Sequence, residues 1–486
     1  MYHEHPLRIL KYSAKNIWLL IFPLLRGVHA ITLDADVVYN WLKGAWIDIL
    51  IIGLIIVFGF IRWYFSRITV TDEAIVHTDG VFVKVRKAIA YNRLSSVTVE
   101  RSFYLRPFGG MRVYCDTCAG IFQSSDMKLM VSRKVCTEIM KNVPEVESGD
   151  SISYRHKPRL MLVLLFSVFF SSSFSGAVYL AAFFFKGGDI AKDVISVSLG
   201  KIAEETSKIP ILIVQKIPAA AIGIGSFFLA TWFLSFALNM LRYSGFAVKS
   251  DNRLIEIVCG TFTRRRYMIT AELINYADLQ QNLVMKFFKA VTVSISCAGY
   301  GSAKNQLPVI FPLKKVNSLS SGLERIGLCA GCKNEFRPRI TSIWQYIWSP
   351  VITAAAIYPA ALIIPEFFPK LAELAYFGII MAEIPAIWMI FVKTAAAVTS
   401  GISIYEDRIM IRYSRWLGFH TVVAERSRLV RMRVTQTPFQ RISRKCTVSL
   451  YFNGETSKRH FVKAIKISDA EKIAVLLGYD SLAFKK

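Results

Sequence analysis

Long apolar runs alternate along this chain with strand-patterned blocks, and the alternation recurs three times. Each time, two apolar stretches precede a block with a Gly-aromatic turn, an Arg-Leu or Glu-Leu step and a short closing helix. A fixed order of this kind marks an internal repeat. The blocks align as they stand: Leu94 falls opposite Leu273, Cys118 opposite Cys297, and Ala119-Gly120 opposite Ala298-Gly299. The third, beginning near Arg415, keeps the length and pattern with fewer identities and lacks the turn glycine.

Four apolar stretches, residues 45–65, 160–185, 217–241 and 376–399, reach the roughly 18 to 20 residues that cross a ~30 Å hydrocarbon core. Two more, 17–32 and 344–368, are shorter or broken by Pro350, Pro359 and Pro365, which neighbouring helices can accommodate. The expectation is six spans in three pairs.

Within the blocks, apolar and polar positions alternate with period two, and Asp79-Gly80 is a strong hairpin signal. A helix is expected from about residue 126 to 142, with Met127, Met130, Val131, Val135 and Ile139 on one face. Ser468 and Glu471 form a capping-box pattern for the last helix. Strands first and one helix last predict a bent antiparallel sheet or partial barrel plugged by that helix.

Charge then sets an expected orientation. Residues 399–486 carry 17 Lys or Arg against 7 Asp or Glu, residues 242–343 carry 15 against 6, and residues 66–158 carry 14 against 10. Positive charge stays on the cytoplasmic side, so the N-terminus and all three blocks are expected there, in a multi-pass cell-membrane protein. The net charge of +26 suits anionic lipid headgroups. No recognition helix, zinc finger or RNA-binding signature points to nucleic acid.

The first block, read as Thr-Asp-Glu-x-Ile, Gly-Val-Phe, Ile-Ala-Tyr-Asn-Arg-Leu-Ser-Ser-Val, Phe-Gly-Gly and Ala-Gly after two spans, resembles the bacterial pleckstrin-homology-like (PH-like) membrane proteins of the YdbS/YdbT-like family. His5-Pro6 matches that family's N-terminal His-Pro element. The resemblance implies a polytopic α-helical membrane protein with three cytoplasmic PH-like β domains. Its segments are 1–65 (N-terminal segment and span pair), 66–150 (PH-like), 155–243 (span pair), 244–338 (PH-like), 340–399 (span pair) and 400–486 (PH-like). It also implies assembly with a smaller membrane protein of one span pair and one PH-like block, and a role in envelope stress or toxic-peptide resistance.

Candidate chemistry is sparse. Cys115 with Cys118 and Cys329 with Cys332 have the spacing of zinc half-sites, although reduced structural cysteines explain them as simply. Glu383, beside Pro385, is an ionisable residue within an apolar stretch: a conduction residue, or a helix contact of Arg26, His29 or Trp388. Arg264, Arg265 and Arg266 follow a turn, and Arg426, Arg428, Arg431 and Arg433 alternate, offering contacts to lipid or an acidic partner or else a solvated face. No phosphate loop, HExxH, GxSxG or kinase signature occurs. The expected function is a non-enzymatic membrane scaffold or binding module without a cofactor; the alternative is a transport or channel component using the six spans.

Overall fold

The computed structural model describes residues 1–13, 35–118, 125–144, 154–170, 219–251, 253–297, 300, 309–316, 335–367, 372–453 and 459–479. They form two compact units. One takes Met1–Arg155, Val248–Leu273 and Cys297–Gln306; the other takes His156–Ala247, Ile274–Ser296 and Leu307–Lys486.

In the first unit, the N-terminal strand β1 (Tyr2–His3) lies beside β2 (Arg67–Val70), β3 (Ala74–Asp79) and β4 (Val85–Ala90) in a four-stranded antiparallel sheet. The β3–β4 hairpin turns where the sequence says it should: Asp79 faces Val85, and Gly80 has a φ of 117°. A second sheet holds β5 (Leu94–Arg101), β6 (Gly110–Thr117) and β7 (Met127–Ser132). It continues from β5 into β11 (Arg264–Thr270), β10 (Leu254–Cys259), β9 (Ala247–Asp251) and β8 (Tyr154–His156). Helix Arg133–Asn142 closes the core, where Ile68, Ile75, Val97, Val113, Leu129, Val135, Ile139 and Met268 are buried together. Each such aliphatic side chain contributes about 1.5–3 kcal/mol on burial.

The second unit repeats the plan. Strands β12 (Tyr276–Asn282), β13 (Ala290–Ser296) and β14 (Val309–Lys315) continue from β12 into β17 (Gly418–Glu425), β16 (Arg408–Arg415) and β15 (Gly401–Tyr405). A separate three-stranded sheet, β18 (Leu429–Thr435), β19 (Lys445–Phe452) and β20 (His460–Lys466), is covered by helix Ile467–Leu476. In each repeat, three strands of a first sheet lead through a 3-10 turn, Tyr91–Arg93, Ala271–Leu273 or Arg426–Arg428, into three strands of a second. These turns equate Leu94 with Ile274 and Leu429, one residue from the Leu94–Leu273 match.

Several expectations are corrected. Among the described residues one stretch, Ala382–Thr399, is long and apolar enough to cross a membrane, with a mean hydropathy of 1.4. The protein is therefore not shown as polytopic or multi-pass. Hydropathy runs overcount spans because a crossing needs one continuous apolar helix. In helix Ala35–Phe65, interrupted by Asp36, Lys43 and Asp48, the apolar part is Leu50–Phe65, about 24 Å at 1.5 Å per residue. The apolar helix at Leu160–Phe169 is shorter still. Residues 17–32 and 171–185 lie outside the described residues. The described sheets are open in strand order, so no closed barrel forms.

The helix expected over 126–142 begins only at Arg133, because Met127–Ser132 pairs with β6 as a strand. Helix Ile467–Leu476 starts one residue before Ser468, and no side-chain cap forms there.

Candidate functional site

The link between the first two strands of each second sheet is built alike in the three repeats. In the first it is the 3-10 turn Phe103–Leu105 followed by Arg106–Gly109; in the second, helix Leu283–Phe287; in the third, helix Pro438–Ile442. One side chain points inward each time: Leu105, Met285 or Gln440, all buried. Gln440 is held by hydrogen bonds to Thr447 Oγ1 (3.1 Å) and Gln345 Oε1 (3.2 Å), and Thr437 caps the helix through a reciprocal capping box. The link then turns back through a left-handed residue, Gly109 (φ 66°), Lys289 (φ 50°) or Arg444 (φ 50°). The glycine missing from the third repeat is thus replaced by an arginine in the same conformation.

This geometry leaves apolar side chains in solvent. Phe108, Phe287 and Phe288 are exposed, and in the third repeat Phe439 and Ile442 are 81% and 84% exposed. The third tip is also the most basic. Residues 426–454 contain no carboxylate and seven Arg or Lys: Arg426, Arg428, Arg431, Arg433, Arg441, Arg444 and Lys445. An exposed apolar tip with Arg441, Arg444 and Lys445 next to it in sequence has the chemistry of a membrane interface, with apolar groups for the acyl boundary and cations for anionic headgroups.

The other sequence candidates separate. Arg265 is bound to Glu100 (3.2 Å) and Arg266 to Glu256 (2.6 Å), which leaves Arg264 as the exposed member of that run. Arg426 and Arg428 belong to the 3-10 turn, and only Arg431 and Arg433 share the strand β18. Both are exposed; Arg431 stacks over the Tyr451 ring at 4.4 Å, and Arg433 is paired across the sheet with Ser449, whose hydroxyl accepts from Arg459 at 2.9 Å. Cys115 is buried and its thiol is pushed up to about 12 by burial, whereas Cys118 is exposed. Cys118 lies one residue past the end of β6, in a turn. Cys329 and Cys332 lie outside the described residues, as do Arg26 and His29. Glu383 is half-buried on helix Ala372–Thr399, two residues before Pro385. Among the described residues no group of three His, Cys, Asp or Glu side chains gathers around a common point.

A buried polar network ties down the N-terminus. Backbone N–H of His5 donates to Met130 O (2.8 Å), and its Nε2 lies 2.9 Å from Phe108 O, so the His5-Pro6 element is clasped between two strand ends. Glu4, wholly buried, accepts from Ser66 Oγ (2.8 Å) and Arg8, and Ser66 Oγ lies 3.1 Å from His77 Nε2. The trio of carboxylate, hydroxyl and imidazole is a structural knot: Ser66 has no exposed surface, and its proton already goes to the carboxylate. Nearby, a cavity of about 480 Å³ is lined by Arg8, Arg62, His77, Asp79, Lys87 and Lys128, with Arg62 bound to Asp79 at 3.2 Å. Sequence pattern alone missed this network and the shared left-handed tip position; the only advance signal was the Phe108-Gly109 turn.

Comparison with known proteins agrees with this architecture. The family model described as bacterial PH domain matches residues 20–144, 194–325 and 359–480. The UPF0699 transmembrane protein YdbT of Bacillus subtilis (strain 168) is 27% identical over 240 residues, which is 48% of this chain and 45% of that protein. The chain thus matches that relative over somewhat under half of its length. No solved structure matches.

Proposed function

The chain belongs to the bacterial PH domain family, and from that premise we propose that it is a non-enzymatic binding module working at an anionic membrane surface. The observation that carries this reading is the third-repeat tip, where Phe439 and Ile442 stand in solvent next in sequence to Arg441 and Arg444, with no carboxylate between residues 426 and 454. Each cation near an anionic leaflet adds about 1 kcal/mol. The stretch Ala382–Thr399, two residues before β15, would hold the third repeat close to the bilayer, in keeping with a relative named as a transmembrane protein. Partner proteins of the same PH-like design are the second reading, because β18 leaves one sheet edge unpaired.

The test places the full chain in nanodiscs with and without anionic lipid, carrying an environment-sensitive fluorophore on Phe439→Cys, with Cys118, Cys329 and Cys332 replaced by serine so that the label is confined to the tip. Quenching by lipid-borne quencher is expected only with anionic lipid, and is expected to fall as salt shortens the Debye length below about 8 Å. Equal quenching in neutral and anionic discs defeats the reading.

A further inference from the structure

The described repeats share sheets by one rule. Strand β11, the last strand of the second repeat's first sheet, pairs antiparallel with β5, which opens the first repeat's second sheet. Strand β17 of the third repeat pairs likewise with β12 of the second. The two registers are the same when counted from each repeat's own 3-10 turn. Ile269, two residues before the start of its turn, faces Ser96, five residues after the start of Tyr91–Arg93. Val423, three before, faces Ala277, six after the start of Ala271–Leu273. The offset after the acceptor's turn exceeds the offset before the incoming strand's turn by three residues at both junctions.

Strand β18 is the third member of the acceptor series. It follows the same turn, and its pairing with β19 carries a bulge between Leu429 and Arg431 at the position where β5 has one between Leu94 and Ser96. Yet among the described residues β18 pairs with β19 on one side and with no strand on the other. Val430, Arg431 and Arg433 are exposed along it. An open edge with a fixed register elsewhere in the same chain is a template for one more strand.

Charge decides what fills it. At both existing junctions the acceptor supplies the acid and the incoming strand the base: Glu100 meets Arg265 at 3.2 Å, and Asp278 meets His420 at 2.9 Å. In β18 the position equivalent to Asp278 is Arg433 and the position equivalent to Glu100 is Thr435, so this acceptor carries a cation and no acid. The equivalent incoming strand of a second copy is β4, and the shared register would set its Lys87 directly opposite Arg433, with Arg86 beside it. Like charges directly opposite on neighbouring strands are destabilising. We infer that β18 accepts, antiparallel and in the register of the two internal junctions, the edge strand of a different PH-like protein that carries carboxylates opposite Arg431 and Arg433. This goes beyond the headgroup reading: the strand adds at the edge of the sheet, whereas headgroups meet the tip.

The probe is a synthetic peptide with the sequence of Gly418–Glu425 bearing Val422→Glu and Ala424→Glu, the positions that the register sets opposite Arg433 and Arg431. Fluorescence anisotropy with the full chain is expected to show it binding at least tenfold more tightly than the same peptide with lysines there. Binding should vanish for a version with proline in place of Thr421, and hydrogen exchange should slow along β18. The double variant Arg431→Glu/Arg433→Glu should reverse the preference and bind the lysine peptide. Equal binding of the proline peptide would show surface charge alone and overturn the inference. So would unchanged β18 exchange with peptide bound, or a concentration-dependent self-assembly of the full chain that by itself slows exchange along β18 and β4. Tip quenching in anionic nanodiscs is scored separately, so the headgroup reading can fail or survive on its own.

Discussion

Arg444 holds the left-handed backbone conformation, φ 50°, that Gly109 holds with φ 66° at the same place two repeats earlier. A residue with a Cβ pays roughly 1–2 kcal/mol to sit there, and glycine does not. Arg444→Gly is therefore expected to raise stability by about 0.5–1 kcal/mol, after subtracting glycine's greater entropy in the unfolded chain. Lys289→Gly should do the same in the second repeat. Denaturant titration of the full chain checks both, and a loss of stability in either would contradict the strain argument.

What could be read in advance, and what could not, follows from the range of the forces. The Asp79-Gly80 hairpin was legible because a left-handed turn is fixed by the residues within it. Strand identity was legible through period-two burial, as in β3, where Ile75 and His77 turn inward. The segment Met127–Val131 was misread as helix: its side chains satisfy a helical face, and only pairing with β6 makes it a strand. The joining of β5 to β11 and of β12 to β17 was invisible, because alternation says which face is buried and never which edge is paired. The arginines were legible as charge but not as partners; Glu100 and Glu256, distant in sequence or a hairpin away, claim Arg265 and Arg266. Six spans were expected and, among the described residues, one stretch is long and apolar enough to cross, because runs of apolar residues count length without asking which polar residues interrupt a helix.

Gly80 offers a sharp test of the first-repeat hairpin. With a φ of 117°, a Cβ built there would lie 1.9 Å from the carbonyl oxygen of Val83, a backbone atom that cannot swing aside. Gly80→Ala is expected to destabilise the first unit by about 2 kcal/mol or more, since strain and clash add. Hydrogen exchange should show faster opening of β3 and β4 than of β16 and β17, and equal acceleration in both would refute a local origin.

His77 makes stability depend on pH in a defined window. Burial, followed by the charge of Arg8, lowers its pKa from 6.5 to about 4, so the folded imidazole stays neutral where the unfolded one is protonated. Because the folded value is depressed, stability is fully present above pH 6.5 and is lost as pH falls from 6.5 toward 4. The loss is at most about 3 kcal/mol, less whatever solvent screening removes. Asp79 acts in a lower window. Burial alone would raise its pKa, but Arg62 and then Arg8 hold it below the usual carboxylate range, so its contribution fades only below about pH 4. His77→Gln should flatten the first limb and leave the second; an unchanged limb between pH 6.5 and 4 would exclude His77 as its source.

The thiols give the last prediction, and it separates a buried strand position from an exposed turn just beyond it. Cys115 lies in the core of the first unit, with burial pushing its pKa to about 12, and Cys136 nearby is pushed to about 11. In the other unit Cys446 is raised to about 12, again chiefly by burial. Thiolate is the reactive form, so these three are protected twice, by access and by protonation. Cys118, three residues beyond Cys115, is exposed. A maleimide reagent at pH 7 is expected to modify Cys118 within minutes in the folded protein, with Cys115, Cys136 and Cys446 at least a hundredfold slower and reached only on unfolding. Mass spectrometry of peptides after timed quenching reads the four rates independently. If Cys115 reacts as fast as Cys118, β6 is not packed as described.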